Sequence, residues 1–329
     1  MSATDKTHAM RMHETGGPEV LRWQPIELAP PGPGEVRVRH HAIGLNFIDT
    51  YYRTGLYSTA LPAVLGSEAA GVVEDVGQGV TAFAKGDRVA YATGPLGAYA
   101  EARNIPAANL VKVPPEIDDQ TAAAAMLKGM TAQYLVRRTY AVREGDTILV
   151  HAAAGGVGLI LCQWAKHLGA TVIGTVGSDS KSKLAREHGC DHVVLYRTED
   201  VPARVRAITN GAGVPVVYDS VGKDTFAASL DCLQPRGLMV TFGQSSGAVG
   251  PFDPRLLSQK GSLYLTRPTI GDYVRARADL EAAARELFEV IASGVVRIHV
   301  AQTYPLRDAE RAHRDLEARN TTGSTVLLP

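Results

Sequence analysis

The alternation of apolar and polar positions divides the chain into three stretches. In the first, Val36-Arg37-Val38-Arg39-His40 alternates as a half-buried strand does, just after the turn cluster Pro30-Pro31-Gly32-Pro33-Gly34. Gly71-Val72-Val73-Glu74-Asp75-Val76 and Lys85-Gly86-Asp87-Arg88-Val89 repeat that grammar. Short strands between Gly/Pro turns predict a partly open β-barrel.

Beyond Asp118 the pattern changes. An Ala-rich stretch from Thr121 to Tyr140 is expected to be helical, and Thr147–His151 reads as a buried strand. Val157, Ile160, Leu161, Trp164, Ala165 and Leu168 then fall on one face of a helix. Further strands are predicted at Thr171–Thr175, His192–Leu195, Val214–Asp219, Leu238–Phe242 and Ser262–Thr266. Helices are predicted between the earlier ones, at Ser180–His188, Val201–Thr209 and Thr225–Leu233. Six strands with crossover helices predict an α/β, doubly wound parallel sheet of Rossmann type. In the last sixty or so residues the pattern changes again. It gives a helix at Asp279–Ser293, a strand at Val295–Val300, a helix at Leu306–Glu317, and a closing strand at Gly323–Leu328 expected to rejoin the first sheet.

Composition adds boundaries to this picture. A chain of 329 residues suggests about two domains. Its 34 basic and 34 acidic residues cancel, which argues against a general nucleic-acid or membrane field. Three cysteines, Cys162, Cys190 and Cys232, form no framework or CxxC pair and suggest a reducing, cytoplasmic setting. Residues 1–17 lack the apolar core of a secretory signal, and the most apolar stretch, Ala152–Trp164, is too short to span a bilayer.

The strongest chemical signal is Ala152-Ala153-Ala154-Gly155-Gly156-Val157-Gly158, between a predicted strand and helix. It varies the GxGxxG phosphate loop. Ala153 holds the first glycine position, Gly155 lets backbone approach a pyrophosphate, and Gly158 lets helix pack on strand. The helix N-terminus adds N–H donors and a positive dipole end. An NAD site usually ends the second strand in Asp or Glu, but here that strand runs into Gly174-Thr175-Val176-Gly177-Ser178. Gly177 N–H, the Ser178 hydroxyl, Lys181 and Tyr196 instead suit a 2′-phosphate, so NADP(H) is expected.

The chain also carries His13-Glu14-Thr15-Gly16-Gly17-Pro18-Glu19-Val20-Leu21, Asn46-Phe47-Ile48-Asp49 and Arg53-Thr54-Gly55-Leu56-Tyr57. Farther along stand Asp219-Ser220-Val221-Gly222, Phe242-Gly243-Gln244-Ser245-Ser246-Gly247 and Thr266-Arg267-Pro268. With the phosphate loop, these motifs resemble the NADPH:quinone oxidoreductases related to zeta-crystallin, a zinc-independent branch of the medium-chain dehydrogenase/reductase superfamily. The resemblance implies a discontinuous GroES-like catalytic domain at 1–129 and 268–329, with a Rossmann NADP(H) domain at 130–267 inserted. It implies NADPH-dependent reduction of a quinone in the interdomain cleft, and a homodimer joined through Rossmann edge strands near Ser262–Leu265. Asn46, Tyr51 and Tyr57 are implied at the nicotinamide end as catalytic donors, with Thr131 on the cofactor. Gly156, Val157, Gly177, Ser178, Lys181 and Tyr196 are implied at the pyrophosphate and 2′-phosphate. Phe242, Gly243, Ser245 and Asn320 are implied as further contacts, although Tyr51 and Tyr57 also read as rim aromatics, Phe242 as core and Asn320 as a turn or cap residue.

The zinc alcohol dehydrogenases share that fold, so their ligands matter. Where they carry Gly-His-Glu this chain has Gly66-Ser67-Glu68, and no cysteine precedes Cys162, so no zinc is expected. A quinone accepts hydride without a Lewis acid, given orientation and hydrogen-bond donors. Asp49 beside these donors reads equally as a tuning group or as a surface or turn carboxylate. A zinc-independent enone or 2-alkenal reductase is the chemical alternative. An RNA-binding or crystallin-like structural protein is the alternative of another class, disfavoured by zero net charge and 6% aromatics.

Overall fold

The structure, a computed structural model, describes residues 5–329. The chain divides into two units, one of Met1–Met130, Arg275–Ala292 and Ile298–Pro329, the other of Thr131–Val274 and Ser293–Arg297.

The first unit is built on β-sheets. Strands Arg22–Leu28, Asp5–Met12 and Ala63–Val64 form a small sheet in that order. A seven-stranded sheet runs Val300–Pro305, Ser324–Leu328, Glu35–Leu45, Glu68–Val76, Arg88–Tyr91 and Val111–Lys112, with Ala102–Pro106 also pairing with Glu35–Leu45. The closing strand Ser324–Leu328 does return to this sheet, antiparallel to Glu35–Leu45. Inward residues such as Val36, Val38, Ile43, Val89, Tyr99 and Leu327 are buried in one core cluster. Alternation predicts the strands through Val36–His40 and Gly71–Val76, but not Asp5–Met12, Arg22–Leu28 or Ala102–Pro106. It does not predict the helix Phe47–Arg53, which begins where Asp49 accepts from the Asn46 backbone N–H at 2.9 Å and so caps the first turn.

The second unit is a doubly wound sheet. Strands His192–Leu195, Thr171–Val176, Thr147–Val150, Val214–Asp219, Leu233–Thr241 and Tyr264–Thr266 lie in that order, all parallel. This is order 3-2-1-4-5-6, whose reversal beside the first strand opens a binding crevice at the strand C-termini. Leu149, Ile173, Val194, Val217 and Met239 are among the residues of its buried core.

Three expectations are corrected. The strand predicted at Val295–Val300 starts only at Val300 and runs to Pro305. The Gln163 side chain explains the shift: its Nε2 donates to the Arg297 carbonyl at 3.1 Å, and its Oε1 accepts the Arg297 N–H at 3.0 Å. An amide side chain thus satisfies the backbone groups that a sheet ladder would otherwise pair. The helix expected over Thr121–Tyr140 is α-helical from Asp119 to Tyr134 and then widens to a π-turn, Leu135–Thr139. The helix expected at Leu306–Glu317 splits into a 3-10 turn, Leu306–Asp308, and an α-helix, Ala309–Glu317.

Candidate active site

The phosphate loop has the geometry its glycines imply. Gly155 caps the helix Gly156–His167, and Leu159 N–H makes the first bond back, to Gly155 O at 2.9 Å. The N–H groups of Gly156, Val157 and Gly158 therefore lack intrahelical acceptors. A Cβ on Gly155 would find only the Ala152 carbonyl oxygen, at 3.2 Å, leaving its outer side open. A Cβ on Gly158 would collide with Ala152 O and lie 2.8 Å from Ala153 Cα, so this residue fixes how closely helix meets strand. Ala153 is accommodated because Gly174 opposite has no side chain: a Cβ there would come within 2.7 Å of Ala153 Cβ. The tight turn is made by Ala152, held at φ 52°.

At the end of the second strand, the bare backbone of Gly177 leaves room for the Tyr196 ring. A Cβ there would sit 2.6 Å from the Tyr196 hydroxyl. Ser178 caps the helix Asp179–Glu187, its Oγ accepting from Lys181 N–H at 3.4 Å and sharing a hydrogen bond with Ser180 Oγ at 3.1 Å. Asp179 is exposed on the first turn, and no acid ends the strand. Gly177, Ser178, Lys181 and Tyr196 are thus brought together.

The Phe242–Ser245 loop lies against a second loop, 220–222. Phe242 N–H donates to Asp219 O at 2.9 Å and Ser245 N–H to Ser220 O at 3.2 Å, while a Cβ on Gly243 would meet Ser220 O at 2.6 Å. The buried Asp219 carboxylate holds the second loop through Val221 N–H at 2.7 Å and Gly222 N–H at 3.0 Å. Arg267 clamps the first, donating to the carbonyls of Thr241 at 3.2 Å and Gly243 at 3.3 Å and to Gln244 Oε1 at 3.2 Å. Phe242 is half-exposed rather than part of the core. In sequence, Arg267 is marked only by its place in Thr266-Arg267-Pro268. Open glycine backbone and a helix N-terminus fit a dinucleotide phosphate, with Lys181 in the first turn beyond the second strand.

In the first unit, Asn46, Tyr51 and Tyr57 come together around the helix Phe47–Arg53. Tyr57 N–H donates to Tyr51 O at 3.0 Å, and the two rings meet edge-on with centroids 5.4 Å apart. Tyr52, not singled out from sequence, packs on Tyr57 at 5.6 Å. Asn46 differs from expectation. Its Nδ2 is committed to Glu68 Oε2 at 2.7 Å and Gly44 O at 3.3 Å, so the amide presents an acceptor rather than a donor to anything beyond. Glu68 is fully buried and also accepts from Leu127 N–H at 2.6 Å and Lys128 Nζ at 3.1 Å.

Asp49 is no surface carboxylate: its exposure is 0%. Its Oδ2 accepts from the Asn46 N–H at 2.9 Å and the Tyr99 hydroxyl at 3.0 Å, and Oδ1 meets no donor. Burial pushes its pKa up to about 7, against the lowering effect of those bonds. Behind Tyr99 lies His313, held down to about 3 by burial and by Arg53. Arg53 can only donate, so its 3.0 Å bond to His313 Nδ1 places the ring proton on Nε2, facing the Tyr99 hydroxyl at 3.0 Å. Arg53 is itself buried and paired with Glu317 at 2.6 Å. A directed chain of donors, Arg53 to His313 to Tyr99 to Asp49, therefore ends at the residue that caps Asn46.

Of the remaining expected residues, Thr131 lies half-buried on the helix Asp119–Tyr134. Asn320 is exposed just beyond the helix Ala309–Glu317, its N–H on Asp315 O at 3.0 Å, which is the position of a cap or turn residue. Glu68, Lys128, Tyr99 and His313 were not anticipated as site residues. The sequence signal available for Glu68 was its place in Gly66-Ser67-Glu68.

Comparison with known proteins agrees with this architecture. Residues 32–115 match the alcohol dehydrogenase GroES-like domain family, and residues 156–289 the zinc-binding dehydrogenase family. A quinone oxidoreductase of Pseudomonas aeruginosa is 59% identical over 315 residues, covering 95% of this chain and 97% of its own. Quinone oxidoreductase 1 of Escherichia coli is 52% identical over 97% of this chain and 99% of its own. The chain belongs to the quinone oxidoreductases of the medium-chain dehydrogenase/reductase superfamily. Within that family, the crystal structure of the Escherichia coli quinone oxidoreductase complexed with NADPH superimposes with a TM-score of 0.96 at 52% identity, over 99% of this chain and all of that one. A 2-haloacrylate reductase of a Burkholderia species is 48% identical over 97% of this chain and 98% of its own.

Among the described residues no three His, Cys, Asp or Glu side chains are grouped to hold an ion. Glu68 already spends both oxygens on Asn46, Leu127 and Lys128. The donor set does not fit a zinc centre. No helix of the described residues is long and apolar enough to cross a membrane.

Proposed function

We propose that this chain reduces quinones with NADPH, using no metal. The observation that carries the reading is the Gly177-Ser178-Lys181-Tyr196 cluster at an acid-free strand end, joined to a phosphate loop whose glycine backbone is open at Gly155. A relative at 52% identity crystallised with NADPH supports the same cofactor. Bound NADPH would supply the hydride. The helix N-terminus at Gly156, Val157 and Gly158 would hold its pyrophosphate. Ser178, Lys181 and Gly177 N–H would hold the 2′-phosphate, with Tyr196 packed beside it. Phe242, Gly243 and Ser245, on the clamped loop, would line the cofactor, with Thr131 and Asn320 as further contacts. Asn46, Tyr51 and Tyr57 would shape the nicotinamide end, with Asn46 as an acceptor suited to a carboxamide N–H. Orientation of acceptor against nicotinamide then supplies most of the rate enhancement. Residues 1–129 and 268–329 would serve the acceptor and 130–267 the cofactor.

Two further assignments belong to this reading. The strand Tyr264–Thr266 is the sheet edge, with Tyr264 61% exposed, and an edge of that kind supports pairing with a second copy. Three free buried thiols support a cytoplasmic setting.

The experiment is an acceptor screen, comparing kcat/KM for NADPH oxidation on 1,4-benzoquinone and 1,2-naphthoquinone with that on 2-alkenals. Quinones are expected to be preferred. The 48% identity to a 2-haloacrylate reductase favours reduction of an activated alkene as the second reading. A clear alkenal preference would replace the first with it.

A further inference from the structure

Lys128 lies on the helix Asp119–Tyr134 with 6% of its surface exposed. A protonated lysine carries three N–H donors, and one of them is met, by Glu68 Oε2 at 3.1 Å. Asp49 acts on this ammonium through space, without a hydrogen bond. Buried donors are almost always paired with protein or water. An ammonium this enclosed, with one carboxylate partner, has N–H donors available to an acceptor from outside the chain. Its position is set by Glu68, whose Oε2 also takes Asn46 Nδ2 at 2.7 Å, so that two nitrogens converge on one oxygen. Glu68 Oε1 is occupied by the Leu127 N–H, which ties the carboxylate to the same helix. Lys128 is therefore held beside Asn46, with Thr131 three residues farther along its helix.

With the Asn46 amide nitrogen committed to Glu68 and Gly44, Lys128 adds a charged donor to those expected at Tyr51 and Tyr57. Hydride delivery to a quinone produces a hydroquinone monoanion, and its charge needs a cation and a proton. Resting on the quinone-reductase reading, we propose that Lys128 is the catalytic donor, giving a hydrogen bond and then a proton to the reduced acceptor's oxygen, with Glu68 as the positioning residue that aims it. In that step a Lys128 N–H bond breaks and an O–H bond forms, leaving a neutral amine that regains its proton from water. Hydride and one proton together convert quinone to hydroquinone, and NADPH leaves as NADP+. For an activated alkene the same ammonium would face the enolate oxygen.

The test uses 4-nitrophenol, whose phenolate resembles the monoanion and whose colour reports its own ionisation. Lys128→Met is made together with Glu68→Gln, so that no lone charge is left buried, and Lys128→Arg keeps the cation. Bound to the NADP+-saturated wild type, the probe is expected to ionise about one pH unit or more lower than in water. The double variant should abolish that shift while still binding NADPH, read by fluorescence titration. Turnover of 1,4-benzoquinone should fall on the order of a hundredfold or more, with partial recovery in Lys128→Arg. A double variant that shifts the probe as far as the wild type overturns the proposal, as does a wild type that does not shift it at all. If the wild type still reduces quinone in either case, the reductase reading stands without Lys128. A Lys128-dependent shift in a wild type inert toward quinones supports the oxyanion site and overturns the reductase reading instead.

Discussion

In the parallel-sheet unit the candidate site is made of backbone: N–H groups at Gly156 to Gly158, the bare side of Gly155, and a strand end kept clear at Gly177. In the other unit it is made of side chains that hold one another, Asn46 on Glu68, Glu68 on Lys128, and Asp49 on Tyr99 and His313. A phosphate asks for small residues and a helix end, and one short segment can provide both. Handling a reacting oxygen asks for charges and protons held out of water. Such groups need partners, and these come from segments scattered over the chain. The two regions should therefore break in different ways.

The largest loss is expected from Glu68→Ala. It leaves the Lys128 ammonium buried without its counter-charge and should lower unfolding free energy by about 3–5 kcal/mol in denaturant titration. Lys128→Met with Glu68→Gln should recover much of that. Equal losses in both would mean that packing, not charge pairing, holds the cluster.

Asp49→Asn tests the same region through pH. With its carboxyl at about 7 against an ordinary 3.8, folded Asp49 keeps a proton that the unfolded chain releases. The wild type therefore loses stability as pH rises from about 4 to about 7, by a few kcal/mol at most, and the variant has nothing there to ionise. The difference between them should move in favour of Asp49→Asn between about pH 5 and pH 8. His313 and His40, both held near 3 by burial, act in the opposite sense. Their contribution fades as pH falls below about 6.5, but both proteins share it and it cancels in the difference. A difference that does not change with pH would remove the buried-acid account.

The backbone site should answer to volume rather than charge. Gly158→Val drives a side chain into Ala152 and Ala153 and should cost about 1–3 kcal/mol, with NADPH affinity falling by at least about tenfold. Ser178→Asp with Lys181→Ala is gentler, because aspartate still caps the helix. It should weaken NADPH on the order of tenfold relative to NADH, by like-charge repulsion of the 2′-phosphate. Equal loss for both cofactors would misplace that pocket. The smallest effect belongs to neither site. Lys183 and Glu187 are 4.0 Å apart and largely exposed, and Lys183→Ala should change stability by less than about 0.5 kcal/mol.

The same contrast explains what could be read from sequence. The six-stranded sheet was legible because its strands are continuous apolar runs with turn residues between them, and Gly155 and Gly158 mark the loop by spacing alone. Asn46, Tyr51 and Tyr57 were reached through a family resemblance, which says nothing of which way an amide points. That is decided by Glu68, twenty-two residues away. Lys128 looks like any helical lysine until the fold buries it, and His313 lies 214 residues from the tyrosine it meets. The strand misplaced at Val295–Val300 failed for a related reason: one glutamine, Gln163, took the hydrogen bonds that the pattern assigned to a ladder.

The central claim is that the chain passes hydride from NADPH to a quinone. Initial rates with 1,4-benzoquinone, measured side by side for NADPH and NADH over a range of cofactor concentrations, test this most directly. The expected result is fast turnover with NADPH and a kcat/KM for NADH lower by about tenfold or more. Equal use of the two cofactors, or no turnover of quinone with either, would contradict it.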